Sequence, residues 1–375
     1  MKKLIKSVNW QGALFLLLTP PAALVLTIYH LKTEGFVWQI WVLFAVFYTL
    51  TAGSITAGYH RLFSHRTYDA RTWLKWFYAL FGGAAFQNSI LIWARDHRVH
   101  HRFVDTDLDP YSINRGFWFA HLGWMLTSNA VPVKMEPYGR DLEKDPVVMI
   151  QHKYYIPIAS LMCFALPVGL GYMVGSPLGG LAVVGFLRVV AVHHMTFFIN
   201  SWCHFFGGQT YTDKNTARDS IFMAVATFGE GYHNFHHIFA NDYRNGIRWY
   251  HWDPTKWMIQ IFSLLGLAHN LQRVPQSEIT RLQLEMEEKA LKSRLNNKWQ
   301  MQFQTQLDSL KQQIQSAQAR FEQLRAEYKQ LAHDQWERIE ELKFQIRMAK
   351  IEFRAGLQQW RAYNSFLLAG VPVRA

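Results

Sequence analysis

Eight of the seventeen histidines fall in three short clusters, His60-Arg-Leu-Phe-Ser-His65, His97-Arg-Val-His100-His101 and His233-Asn-Phe-His236-His237. Neutral imidazole is the commonest metal ligand in proteins. Eight rings in tight groups exceed what one ion coordinates, so the pattern points to a two-metal centre. In the second and third clusters the spacing i, i+3, i+4 places three rings on one helical face, where they can address a common ion. His60 and His65 are five apart, about 140° around an ideal α-helix, and converge only if the helix ends or bends between them. Gly58, just before the pair, gives the backbone room for that adjustment. His204 joins the candidates, with Asn200 one turn before it on the same face. His30, His121, His152, His251 and His269 are isolated and read as structural. The same holds for His193-His194 inside an apolar run, although His193 lies seven residues before Asn200 and so on roughly its face.

The elements that must position these rings are set by hydropathy. Residues 11–31 and 37–59 are apolar runs, and 154–174 with 178–200 repeat the pattern, interrupted only by Arg188, His193 and His194. Each reaches the roughly 20 residues needed to cross about 30 Å of hydrocarbon. The expected fold is an all-α integral membrane protein with four transmembrane helices and a helical, histidine-rich cap. The first run follows Met1-Lys-Lys but is longer than the apolar part of a secretory signal and lacks a clear cleavage site, so it reads as a retained span kinked at Pro20-Pro21. A fifth stretch, 72–93, is broken by Lys75, Gly82-Gly83 and Gln87-Asn88 and reads as a helix lying at or dipping into the interface.

Lys and Arg are scarce in the loops at 32–36 and 175–177 and abundant at the N-terminus, in 60–153 and after 205. That bias puts both termini and every histidine cluster on the cytoplasmic side. Short outer loops and the lack of a targeting signal fit a bacterial inner membrane. The net charge of +12 comes without a nucleic-acid-binding motif, so anionic lipid and an acidic electron-transfer partner are the expected beneficiaries. Cys163 and Cys203 form no disulfide or metal pattern and read as packing residues.

After Pro275 the composition turns to Gln, Glu, Lys, Arg, Leu and Ala. Residues 276–375 are therefore expected to be a coiled-coil-like helical extension, separate from a membrane domain at 1–275. Ser277 is the expected N-cap. Leu307, Leu310, Ile314, Ala317, Phe321, Leu324, Tyr328 and Leu331 make a heptad seam, and Ile339, Leu342, Ile346, Ala349 and Phe353 resume it after a phase slip near Ala332-His333-Asp334. A skip or a hairpin turn would each produce the slip. An arm for self-association or docking is the leading reading, and a helix folded back on the enzyme's own cytoplasmic face is the other.

At the histidine clusters the chain resembles the membrane-bound acyl-CoA desaturases, the stearoyl-CoA or carbon-nine enzymes, over about residues 10–275. The likeness extends to Thr56-Ala-Gly-Tyr-His-Arg-Leu62, Trp93-Ala-Arg-Asp-His-Arg-Val-His-His101, Asp107-Leu-Asp-Pro110, Arg115-Gly-Phe117, His121-Leu-Gly-Trp124 and Asn200-Ser-Trp-Cys-His204. The resemblance implies two iron ions held by His60, His65, His97, His100, His101, His204, His233, His236 and His237, with Asn200 reaching one through water and no bound organic cofactor. It implies O2-dependent insertion of a cis double bond into a saturated acyl chain of about sixteen to eighteen carbons. It further implies a bent acyl tunnel with Gln87, Trp93 and Thr196 at the bend and Tyr48 and Ala52 at its closed end. Short Ala52 argues for the longer chain on volume grounds. Arg95 and Asp96 match positions near the coenzyme A headgroup, but Ser128-Asn129 stands where animal enzymes carry a basic pair. That departure leaves a glycerolipid or acyl carrier protein open as the acyl carrier. Two cysteines cannot hold a Cys-ligated cluster, so electrons are expected from a separate ferredoxin-like protein or small cytochrome. The alternatives are a histidine-box fatty acid or alkane hydroxylase and, in another class, a non-catalytic scaffold acting through the helical arm.

Overall fold

The computed structural model describes residues 8–127, 133–294, 297–330 and 336–370. Among the described residues, four helices are long and apolar enough to cross a bilayer, Trp10–Thr33, Trp38–Ser64, Tyr155–Met173 and Pro177–His204, and they fall on the four apolar runs. Leu17, Leu18, Leu24 and Val25 on the first and Val42 and Val46 on the second are exposed, as suits faces whose solvent is lipid. The first span stays helical through Pro20 and Pro21. Beyond its end, Glu34 accepts from His30 Nδ1 at 3.1 Å, from the Ser176 hydroxyl, and from the amides of Leu178 and Gly179 at 3.3 Å each. One carboxylate thereby caps the fourth span and ties together the two short loops, at the end of the bundle opposite His60 and His204.

The second span ends at Ser64, between His60 and His65, and its last turns set how the two rings face. Over Ser54–Ser64 it widens into a π-helix, and the amide of His65 bonds to the carbonyl of His60 at 3.1 Å. With i→i+5 bonding, residues five apart stand about one turn above each other, so the pair faces the same way. Gly58 serves this segment through packing: a Cβ there would sit 2.6 Å from Tyr78, and one on Gly82 would collide with the Tyr59 ring. The helix Thr72–Gly83 can lie directly against the π-segment only because both positions are bare.

The stretch 72–93 is two helices rather than one interfacial helix. Thr72–Gly83 ends at the glycine pair, and Phe86 and Asn88 turn the chain with φ of 56° and 74°. The next helix, Ile90–Phe103, starts where Ser89 Oγ accepts from the Ile92 amide. Asn tolerates the left-handed conformation and Ser is a preferred N-cap, so the polar residues that interrupt the apolar run are the ones that make the turn. A two-residue antiparallel pairing of Asp69–Ala70 with Ala268–His269 joins this region to the segment after helix Pro254–Leu264.

The chain forms two compact units, one containing the residues through Gln209 together with Asp213–Arg273, the other containing Thr210–Thr212 and the residues from Val274 onward. The second consists mainly of three helices, Gln276–Arg294, Asn297–Gln330 and Trp336–Gly370. Contacts pair Gln306 with Tyr363, Ile314 with Gly356, Arg320 with Glu352 and Glu327 with Arg338, so the last two helices run antiparallel. Leu324, Leu342 and Ala349 bury one half of the heptad seam; Leu307 and Ile314 bury the other with Leu284, Leu291, Trp360 and Leu367. Half of the seam's apolar residues are therefore covered within the chain itself. The phase slip at Ala332-His333-Asp334 lies outside the described residues. Ser277 is not the N-cap: the helix begins one residue earlier, and Glu322 accepts from both the amide and the hydroxyl of Ser277 at 2.8 Å. Leu342 is fully buried, so Leu342→Ala should destabilise this unit by about 2–5 kcal/mol. The check is trypsin cleavage within 336–370 of the full-length protein, which should accelerate; an unchanged rate would mean the seam is not packed as described.

Candidate metal centre

Nine histidines from four segments meet in two adjoining groups. His60, His65, His97, His101 and His236 form one, His100, His204, His233 and His237 the other, and within each group the nitrogens that could bind an ion lie within 4.8 Å of one another. The π-segment supplies His60, with His65 just beyond it; helix Ile90–Phe103 supplies three rings, helix His233–Ile238 three more, and the end of the fourth span His204. The rings of His101 and His237 stack 4.2 Å apart at 9°, forming a shared wall between the groups. The six-residue helix His233–Ile238 is too short to persist alone. Asp219 Oδ1 accepts the amides of Asn234 and Phe235 at 2.9 and 3.2 Å, and Asn234 Nδ2 donates to Ala217 O, which fixes its start.

Several rings are held from behind through Nδ1. Glu230 lies 2.8 Å from Nδ1 of His60, Asp109 lies 2.9 Å from that of His100, the Tyr111 hydroxyl 3.3 Å from that of His97, and the Thr216 hydroxyl 2.8 Å from that of His204. A carboxylate at Nδ1 keeps the proton there and leaves the Nε2 lone pair free, the arrangement that metal-binding histidines use. Glu230 and Asp253 also enclose the fully buried Arg61, and Asn245 Nδ2 donates to Glu230 at 2.8 Å. Burial works against the Glu230 charge, but His60 and Arg61 outweigh it and hold the pKa at about 2. These acidic and hydroxyl partners were not singled out from sequence, although Asp109 lies in the quoted Asp107-Leu-Asp-Pro110 motif.

The Nε2 atoms point at each other across the groups. His60 to His236 is 2.9 Å, His236 to His101 3.0 Å, His65 to His97 2.8 Å, His204 to His233 3.1 Å, His233 to His237 3.0 Å and His237 to His100 3.3 Å. Neutral rings cannot satisfy this set. With the His60 proton on Nδ1, His236 Nε2 can only donate to His60, and its single proton cannot also serve His101. Burial first, then the neighbouring rings, keep His65, His97, His101, His236 and His237 far below the usual imidazole range, and His233 at about 3. Unprotonated nitrogens crowded at these distances repel unless a cation lies among them, and an all-imidazole donor set suits a transition metal. The arrangement is that of a metal centre.

The expected bend residues form one hydrogen-bonded chain. Trp93 Nε1 donates to Gln87 Oε1 at 3.3 Å, Gln87 Nε2 donates to Thr196 Oγ1 at 3.0 Å, and Thr196 Oγ1 donates to Val192 O at 2.9 Å. Trp93 stacks on His97 with centroids 5.0 Å apart, which joins this chain to the centre. Tyr48, Ala52 and Thr196 line a narrow apolar cavity, with Val192, Met195 and Phe228 among its other walls. Asn200 lies half-buried one residue before the end of helix Arg188–Ser201. Arg95 is paired with Glu143, and burial raises the pKa of Asp96 to about 7 against the pull of Arg95; neither lines the cavity. Ser128-Asn129 lies outside the described residues. Among the other histidines, His193 meets Ala85 O, His152 meets Ser89 Oγ, and His121 meets both Ser201 Oγ and His194.

Residues 36–269 match the family model described as fatty acid desaturase. A probable acyl-CoA desaturase of Schizosaccharomyces pombe is 43% identical over 291 residues, covering 76% of this chain and 59% of its own length. Acyl-CoA desaturase 1 of Saccharomyces cerevisiae is 45% identical over 251 residues, 66% of this chain and 49% of its own. A Delta(9)-fatty-acid desaturase of Caenorhabditis elegans is 38% identical over 281 residues, 72% of this chain and 81% of its own. The chain thus spans only about half to three-fifths of the two yeast proteins. All three relatives are eukaryotic and lend no support to the bacterial membrane expected from the short loops. Four spans, two facing groups of histidines and a match over most of the membrane unit agree: the chain belongs to the fatty acid desaturase family.

Proposed function

We propose that the chain is an O2-dependent fatty acyl desaturase that places a cis double bond, at the ninth carbon, in a saturated acyl chain of about sixteen to eighteen carbons. The observation that carries this reading is the position of the nine-histidine centre, one Trp–Gln–Thr chain away from a narrow apolar cavity. One iron would be held by His60, His65, His97, His101 and His236, the other by His100, His204, His233 and His237, with Asn200 reaching one of them through water. Bound there, the irons supply the oxidising power to take hydrogen from unactivated methylenes, which no side chain can. In balance, one CH2–CH2 pair, O2, two electrons and two protons give one cis CH=CH and two waters.

The chain's own residues bind and orient. Tyr48 and Ala52 set how far the acyl chain reaches, and the Gln87–Thr196 hydrogen bond fixes the wall near the bend. Glu230 and Asp109 keep ring protons on Nδ1, so Nε2 faces inward. The names of the relatives support acyl-CoA as the carrier. Electrons come from a separate protein docking on the basic cytoplasmic side, where the Lys and Arg bias places the centre and both termini. Residues 1–275 would hold this activity and 276–375 a helical extension without chemistry of its own.

Gas chromatography of lipids from a host expressing the gene should show new cis-Δ9 products, with labelled oxygen entering water and not lipid. His236→Ala should yield no product, because it removes a ligand of the first group; hydroxylated product from the unaltered protein would overturn the reading. Ala52→Leu should move the product ratio toward sixteen carbons, since each terminal methylene excluded forfeits about 0.8 kcal/mol of burial. An unchanged ratio would take Ala52 out of the tunnel. Glu230→Gln should lower stability by about 1.5–3 kcal/mol, the scale of hydrogen bonds to charged groups, through its loss to Arg61 and His60. Thermal unfolding in detergent measures it, and an unshifted midpoint would contradict the buried network.

A further inference from the structure

His60 and His100 are each backed by a carboxylate in direct contact, whereas His204 is backed by a hydroxyl. That hydroxyl leads on to a carboxylate. Thr216 Oγ1 lies 2.8 Å from His204 Nδ1 and donates to Asp105 Oδ1 at 2.6 Å, while the Thr216 amide donates to Asp105 Oδ2 at 2.6 Å. An ionised carboxylate only accepts, so the Thr216 proton must point at Asp105, and the hydroxyl oxygen is left to accept from His204 Nδ1–H. The order of donors is therefore fixed along the chain of three residues, and the Nε2 lone pair of His204 faces His233.

The backbone is built to hold Asp105 in this place. Its φ is 64°, a left-handed conformation that few non-glycine residues adopt. Its amide donates to Asp109 Oδ2 at 3.1 Å and its carbonyl accepts from Asn114 Nδ2 at 2.7 Å. Asp109 Oδ1 in turn meets His100 Nδ1 and the Tyr111 amide. One tight loop after helix Ile90–Phe103 thus reaches two rings of the second group, His100 directly and His204 through Thr216. Strained backbone that the surroundings pin on both sides is a feature of positions where a side chain must be aimed.

Resting on the metal-centre reading above, we propose that Thr216 and Asp105 are positioning residues which, as a hydroxyl-relayed carboxylate, hold His204 in the tautomer that binds the second metal ion. The relay makes a specific demand on Asp105→Asn. Asn tolerates the left-handed conformation, so the backbone is kept. The Thr216 amide can only donate, so it claims the carboxamide oxygen and leaves the NH2 facing Thr216 Oγ1. The hydroxyl then accepts from Asn and turns its proton toward His204 Nδ1, which drives the ring proton to Nε2 and blocks ligation. A near-isosteric change reverses the relay.

The test is anaerobic titration of metal-stripped, full-length protein in detergent with Fe(II), in competition with a chromophoric chelator. Wild-type protein and Thr216→Ser, which keeps the hydroxyl, should take up two equivalents. Thr216→Val and Asp105→Asn should keep the first equivalent and bind the second roughly 10–100-fold more weakly, the scale found when partners behind metal ligands are removed. The first equivalent reports that the fold survives. Uptake of both equivalents at wild-type affinity by Thr216→Val and Asp105→Asn would overturn the relay while leaving the centre intact. Loss of both equivalents together would also overturn it, by showing a general structural role. Fewer than two equivalents in the wild type would instead overturn the reading of the two histidine groups.

Discussion

Nine imidazole nitrogens facing one another in a buried space are an unfavourable arrangement in themselves, and much of the membrane unit is organised to hold them there. Nε2 separations of 2.8–3.3 Å between neutral rings leave lone pairs opposed without protons to share. The rings stay because their backs are committed: Glu230 behind His60, Asp109 behind His100, Tyr111 behind His97 and Thr216 behind His204. Each anchor removes a proton from the centre and a rotational freedom from the ring, so the cost of crowding is met in the fold and not when an ion arrives.

Those anchors explain features that otherwise look incidental. The π-helix Ser54–Ser64 makes two rings five residues apart face alike, and it seats Arg61 between Glu230 and Asp253. Both carboxylates offset the cost of burying the Arg61 guanidinium, and the same Glu230 reaches His60. Packing of the second span, charge balance in the core and ring orientation are therefore one problem with one solution. At the far end of the bundle Glu34 ties the two short loops, so the second and fourth spans that deliver His60 and His204 are held together away from the centre as well.

The apolar cavity is joined to the centre by side chains that each have a fixed hydrogen-bond role. Trp93 touches His97 with its face and Gln87 with its nitrogen, and Gln87 reaches across to Thr196 on the fourth span. The turn that permits this contains Phe86 and Asn88 in left-handed conformation, between two helices that hydropathy merges into one. The C-terminal unit is organised on different terms. Its three helices bury Leu284, Leu291, Leu307 and Leu367 around Trp360, whose indole nitrogen donates to Glu287 at 2.7 Å.

Read on its own, the chain shows the four spans, the two histidine triads spaced i, i+3, i+4 and the heptad pattern after Pro275, while the full set of nine histidines came with the family resemblance. These are local signals: a run of about 20 apolar residues, an i, i+3, i+4 spacing and a repeat of seven each depend on neighbours along the chain. Tertiary structure decided what no local spacing contains. How His60 and His65 face alike depends on i→i+5 bonding against the helix at Tyr78, and the partition into groups of five and four depends on where four separate segments cross. The partners behind the rings lie up to 170 residues away, as with His60 and Glu230, and a carboxylate at that separation carries no periodic mark. The seam of the extension showed the same limit: a heptad repeat fixes which face is buried, while the choice of what covers that face depends on contacts between distant residues, such as Ile314 with Gly356 and Arg320 with Glu352.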